Sequence, residues 1–155
     1  ALFAEGSVCA PDGTPLATGA EAVEALYTAT TRRYEDGTPR SHHVTSNLAV
    51  VIDLSTAMAR SYFTVFQATD GLSLQPIVAG TYDDTFARTA GGWRFDRRVM
   101  HLRLVGDVRK HLLIDLPQPC ADCSNWTTAS TPGWPTSPAL ADRTPGSSWR
   151  TTGSR

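Results

Sequence analysis

Lysine is almost absent from this chain: of 14 basic residues only Lys110 is one, and the rest are arginine. Those cations face 15 acidic residues, for a formal net charge of −1. With no basic stripe, a nucleic-acid binder is excluded. Long apolar runs are missing too. None approaches the ~20 residues of a membrane span, so no membrane partner is expected. The opening Ala1-Leu2-Phe3-Ala4-Glu5-Gly6 lacks the basic region of a secretory signal. Cysteine is scarce, at three residues: Cys9, Cys120 and Cys123. An odd count without framework spacing excludes a disulfide scaffold and fits a reducing, cytoplasmic location. The Cys120/Cys123 pair has no second pair or histidine beside it, and a structural zinc needs four ligands, so no metal is expected. GxGxxG, P-loop, GxSxG and HExxH motifs are absent, and no cofactor is expected.

The 155 residues suit one domain, but the composition changes near Leu116. Residues 116–155 hold six of the ten prolines and no Val, Ile, Phe, Tyr or Met. Such a segment cannot bury enough apolar surface to offset its ordering entropy. The expected division is a folded domain over 1–115 and a disordered Pro/Ser/Thr-rich tail over 116–155. Two alternatives for the tail are a clamp in which Trp126, Trp134 and Trp149 dock on a partner or on the domain, and a shifted reading frame.

Within the domain, residues 1–4 resemble the last turn of a helix, followed by a short strand or loop over 6–10. Pro11-Asp12-Gly13-Thr14-Pro15 is turn chemistry. Thr18 and Glu21 form a capping box, and Val23, Leu26, Tyr27 and Thr30 place one apolar stripe on the helix that follows. Arg32 and Arg33 suit its C-terminal end. Four strands are expected over 41–53, 57–68, 75–88 and 93–105, with Thr89-Ala90-Gly91-Gly92 as a hairpin turn. A single helical turn is expected over 108–113. A helix followed by a meander is an α+β fold.

Strand alternation sorts the polar residues by face. His43, Thr45 and Asn47 share one face, with His42 on the other; a register slip would exchange the two histidines. Val78, Gly80, Tyr82, Asp84 and Phe86 fall together. Trp93, Phe95, Arg97, Val99 and His101 fall together, opposite Arg94, Asp96, Arg98 and Met100. His43 is the first catalytic candidate, because imidazole titrates near neutrality. A histidine satisfied within the sheet is the alternative. Tyr82 and Asp84 are candidates for orienting a substrate oxygen; otherwise Tyr82 packs and Asp84 pairs with Arg97 or Arg98. Asn47 is a candidate amide donor to substrate, and Phe63, Phe66, Trp93 and Phe95 would give the pocket an apolar floor.

The fragments His43-Val44-Thr45-Ser46-Asn47, Ala59-Arg60-Ser61-Tyr62-Phe63, Ala79-Gly80-Thr81-Tyr82-Asp83-Asp84 and Gly92-Trp93-Arg94-Phe95-Asp96-Arg97-Arg98 together resemble the SnoaL-like branch of the nuclear transport factor 2-like (NTF2-like) superfamily. The resemblance covers about residues 1–114. It implies a cone-shaped α+β barrel in which a curved antiparallel sheet wraps on helices around a pocket. It also implies that the N-terminal helices, which carry pocket acids or tyrosines in family members, are missing here. His43 resembles the catalytic histidine of dehydratase-like members, and Tyr82 a pocket-lining residue. The implied function is a cofactor-independent lyase or isomerase, of dehydratase or cyclase type, acting on a small hydrophobic or cyclic organic, polyketide-like substrate. The alternative is a non-catalytic subunit or binding module resembling a ring-hydroxylating dioxygenase β subunit. A truncated, inactive member is a third reading. Family analogy also implies a homodimer formed through the open sheet face.

Overall fold

The computed structural model describes residues 2–116. The expected tail from Pro117 onward, with Cys120, Cys123 and its three tryptophans, lies outside the described residues. Seven elements follow in chain order: β1 (Ser7–Cys9), β2 (Pro15–Thr18), α1 (Ala20–Thr30), β3 (Ser41–Asp53), β4 (Thr56–Thr69), β5 (Leu72–Thr89) and β6 (Gly92–Val105). The last four are long because β-branched and aromatic residues recur along them, which suits a pleated, half-buried surface. They are broken only at tight turns. Gly71 (φ 75°) and Gly92 (φ 100°) supply the left-handed conformations at two of these, and glycine adopts such φ values without steric cost.

The six strands form one sheet in the order β2-β1-β6-β5-β4-β3. All neighbours run antiparallel except β1 and β6, which are parallel. The sheet is therefore mixed, a departure from the wholly antiparallel expectation. The fold class is α+β, a curved open sheet with one helix.

The helix starts later and ends sooner than its sequence signals imply. Gly19 is the N-cap (φ 85°), with no side-chain cap bond. Thr18 instead ends β2, where its hydroxyl bonds Ser7 Oγ at 2.8 Å. At the other end Thr31 is already extended and bridges Leu112, while the Arg32 amide donates to the His111 carbonyl at 2.8 Å. Tertiary backbone pairing has overridden the dipole preference for arginine in the last turn. Residues 2–5 form turns and bends. The turn expected over 108–113 is present, with the His111 and Leu112 amides both donating to the Val108 carbonyl. The expected stripe packs: Val23 is buried, with Leu26 beside it, against Val8, Ala17, Phe3 and Met100.

Directly opposed residues in a sheet share a face, so the register identifies the inner side. Ala57, Ala59, Ser61, Phe63, Val65 and Gln67 alternate along β4 and are all buried. Phe63, Val65, Ile77, Val78 and Tyr82 form the larger core cluster, with Met100, Leu102 and Val108 packed on it. Gly80 lies where no side chain fits. A Cβ there would collide with the His101 carbonyl oxygen and approach the Phe63 ring at 2.9 Å.

Bulges change which residues face inward, because one extra residue reverses the alternation beyond it. A shift between Ser46 and Ala49 in β3 puts Asn47 at φ 51°. Beyond it Val50 and Ile52 oppose Ala59 and Ala57 on the inner face, where they are 50% and 64% exposed. Unbroken alternation from His42 would put them on the outer face. A second shift pairs Thr85 with Arg97 but Phe86 with Phe95. Asp96 is the extra residue, so Phe95 joins the face of Arg98 and not that of Arg97.

Candidate functional site

Regular alternation on β5 puts Tyr82 and Asp84 side by side on the inner face. Asp84 is 6% exposed and Tyr82 9%. Opposite Asp84 in the register stands Arg98. Its Nε and Nη2 donate to the two Asp84 oxygens, each at 2.8 Å. The same guanidinium lies 4.0 Å from the Tyr82 ring centroid and 4.6 Å from that of Phe95, in reach of both ring faces. Tyr82 stacks on Phe63 with centroids 4.3 Å apart. Phe95 stacks on Phe3 at 4.5 Å and tilts against Phe86 at 4.6 Å. The result is a charged pair set in an aromatic floor.

Tyr27, on α1, approaches this centre closely enough to feel the charges of Arg98 and Asp84. Burial raises the pKa of Tyr82 above its ordinary value, partly opposed by Arg98 and reinforced by Tyr27 and Asp84. That of Tyr27 is raised as well, by crowding of part of its side chain and with Arg98 again opposing, although the residue as a whole is 42% exposed. For Arg98 burial disfavours the charge, but the bonds and charge of Asp84 outweigh it and the net direction is upward. A buried, protonated phenol, that of Tyr82, thus lies against a permanent ion pair, with the exposed Tyr27 within electrostatic reach. Such groups can donate hydrogen bonds to a carbonyl, phenolate or enolate oxygen.

His43 lies on the inner face opposite Val65, and His42 opposite Phe66 on the outer one. The inward residue is therefore His43. It is not in contact with the Tyr82 centre; along the sheet it is two inward positions away, roughly 13 Å, and two strands across. Its ring partner is His111, at 6.3 Å between centroids and tilted by 56°. Both imidazoles have pKa values below the usual 6.5. For His43 burial is the main cause and His42 adds repulsion; for His111 it is burial and then His43. His43 is exposed as a residue, so its desolvation is confined to the side of the ring crowded by these neighbours. His111 is buried. Its Nδ1 and the buried Gln67 Oε1 and Ser41 Oγ have no hydrogen-bond partners among the described residues. Gln67 Nε2 is anchored to the Pro39 and Lys110 carbonyls at 3.0 and 3.1 Å.

Of the residues singled out from sequence, Phe63, Tyr82, Asp84 and Phe95 come together. Trp93 opposes Arg88 at the start of β6, half-buried at the hairpin end of the same face. Asn47 is in the exposed bulge and does not follow His43 and Thr45 inward. The alternative named for Asp84, a pair with Arg97 or Arg98, is met by Arg98, and Tyr82 packs on Phe63 as that alternative has it. Tyr27, which the sequence places only in a packing stripe, and His111, in a short turn without periodicity, are not singled out by the sequence. On the outer face, Asp83 holds Arg60 Nε at 2.6 Å and His101 Nε2 at 3.1 Å. Among the described residues no group of three or more His, Cys, Asp or Glu side chains is arranged to hold a metal ion. No helix there is long and apolar enough to cross a membrane.

A curved mixed sheet cupped over one helix, with a polar centre on its inner face, defines an NTF2-like α+β domain. Residues 1–99 match the SnoaL-like domain family, and the chain belongs to that family. Among solved structures it is similar to an NTF2-like protein with a cystatin-like fold from Novosphingobium aromaticivorans, at 25% identity and TM-score 0.51, covering 64% of this chain and 62% of that one. It is also similar to a Mycobacterium tuberculosis protein of unknown function, at 21% identity and TM-score 0.50, covering 64% of this chain and 54% of that one. A third is a protein named as a candidate scytalone dehydratase from N. aromaticivorans, at 21% identity and TM-score 0.54, covering 78% and 76%. The chain thus spans less than two thirds of the first two relatives. No curated protein matches it.

Proposed function

We propose that this domain binds a small cyclic organic molecule on its inner sheet face and acts on it as a cofactor-independent lyase or isomerase. The observation that carries the reading is the Tyr82–Arg98–Asp84 centre, a protonated phenol and a bound guanidinium set among aromatic rings, with Tyr27 on α1 in electrostatic reach. Tyr82 and Tyr27 would donate to a substrate oxygen, and Arg98, held by Asp84, would stabilise negative charge as it develops there. Phe63, Trp93 and Phe95 would bind the ring system. His43, neutral at physiological pH, would remove or return the proton, which requires a ligand long enough to span the two inward positions and two strands between it and Tyr82. Asn47 would lie at the rim. Likeness to the candidate scytalone dehydratase, which shares the fold, agrees with a dehydratase-type reaction on such a substrate. The expected setting is cytoplasmic, in keeping with the free, buried Cys9.

The test is a panel of cyclic ketones and phenols, followed by NMR and by proton exchange at carbon acidic sites. His43→Ala should abolish exchange while binding persists, and Tyr82→Phe should weaken binding. Undiminished exchange in His43→Ala would end the proposal. A second copy is the proposed partner, through the outer face where Val44, Met58, Tyr62 and Leu104 are exposed.

One observation favours a non-catalytic subunit or binding module as the second reading. Both Asp84 oxygens are taken by Arg98, and the Tyr82 ring is enclosed by Phe63 and Arg98. A domain of this kind would show no exchange with any compound yet co-purify with a larger catalytic chain.

A further inference from the structure

A separate cleft lies at the end of the domain where the strap after α1 meets the segment after β6. It has a volume of about 540 Å³ and is bounded by Arg32, Tyr34, Leu72, Asp107, Arg109 and Lys110, with Gly71 at its edge. Its walls are fixed by backbone bonds. The Arg32 amide donates to the His111 carbonyl, the Leu113 amide to the Thr30 carbonyl, and the Tyr34 hydroxyl to the Lys110 carbonyl at 2.6 Å. Arg32 and Lys110 are therefore presented side by side on two segments zipped together.

The charges do not balance. Among the described residues Asp107 is the one carboxylate in the wall, and Arg109 engages both its oxygens at 2.9 and 2.7 Å. Asp70, next to Gly71 in the chain, lies 3.9 Å from Arg40. Among the described residues Arg32 has no ion-pair partner, and its buried Nε has no hydrogen-bond partner. A guanidinium partly removed from water and left unpaired is costly, and a bidentate oxyanion satisfies it.

We propose that this cleft binds a small molecule bearing a multiply charged oxyanion, a phosphate ester or a dicarboxylate, with Arg32 and Lys110 as its ligands. The volume admits more than the bare anion, and Tyr34 and Leu72 offer apolar contact to its body. This site is distinct from the inner-face centre and does not depend on the function proposed for it.

The experiment is an NMR titration of the intact chain with inorganic phosphate and, separately, with phthalate. The expected result is saturable shifts of the Arg32, Tyr34 and Lys110 amides at roughly millimolar concentration, weakening as salt rises. Arg32→Gln should weaken binding about tenfold or more, and Lys110→Gln should weaken it as well. Arg32→Gln leaves the zipper intact, because only the backbone of Arg32 takes part in it. Saturation by phosphate alone assigns phosphate esters, and by phthalate alone carboxylates. No saturable shift with either probe, or shifts unchanged in Arg32→Gln, would overturn the proposal.

Discussion

Removing the Asp84 carboxylate should be among the most destabilising single changes available to this domain. Asp84 is 6% exposed and the Arg98 side chain 22%, and both carboxylate oxygens are bonded at 2.8 Å. Asp84→Ala leaves a guanidinium between two aromatic rings without its counter-charge. Breaking a buried pair from one side costs about 3–5 kcal/mol. Because Arg98 keeps some access to water, about 2–4 kcal/mol is expected. Asp84→Asn, which keeps one acceptor and the shape, should cost less. Asp84→Leu combined with Arg98→Met should recover much of the loss, since an apolar pair carries no desolvation penalty. The assay is urea unfolding, read as a shift in midpoint at unchanged slope. Asp107→Ala is the control: its partner Arg109 is 86% exposed, and ion pairs so open to water contribute little. A cost for Asp84→Ala no larger than that of the control would refute the reasoning.

Gly80→Ala should destabilise by about 1–3 kcal/mol through overpacking against the His101 carbonyl and Phe63, measured by the same unfolding curves. His43 and His111 both have folded pKa values below the ordinary 6.5, so the native state favours neutral rings. Their contribution to stability is present above pH 6.5 and is lost as pH falls through that value towards the lower folded ones. Melting temperature should drop between pH 7 and 5, and less steeply in His111→Gln. Tyr27 and Tyr82 are raised above the ordinary 10.0, so stability falls as pH rises through 10. Tyr27→Phe and Tyr82→Phe should each remove absorbance change from the late phase of an ultraviolet titration. Tyr62→Glu, on the outer face, should shift sedimentation towards monomer while leaving the far-ultraviolet spectrum unchanged.

The long strands were legible because β-branched and aromatic residues alternate along them with glycine at the turns. Tyr82 and Asp84 were correctly placed together, since their stretch of β5 is regular. Sequence reasoning failed where one residue interrupts the alternation. The bulge at Asn47 exposes that side chain and turns Val50 and Ile52 inward, and the bulge at Asp96 moves Phe95 beside Arg98. Bulges are set by pairing with the neighbouring strand, which local pattern does not report. The helix ends were displaced for a similar reason: Thr18 is claimed by β2 and Thr31 by a bridge to Leu112. Tyr27 and His111 needed the fold itself, because their partners lie far away in sequence.

The account stands on the inner-face centre being a ligand site. Backbone and side-chain NMR during titration with an oxygen-bearing cyclic compound tests this most directly. Shifts concentrated at Tyr27, Tyr82, Arg98 and His43, and weakened in Tyr82→Phe, are the predicted result. Shifts confined to the outer face, or unaltered by Tyr82→Phe, would contradict it.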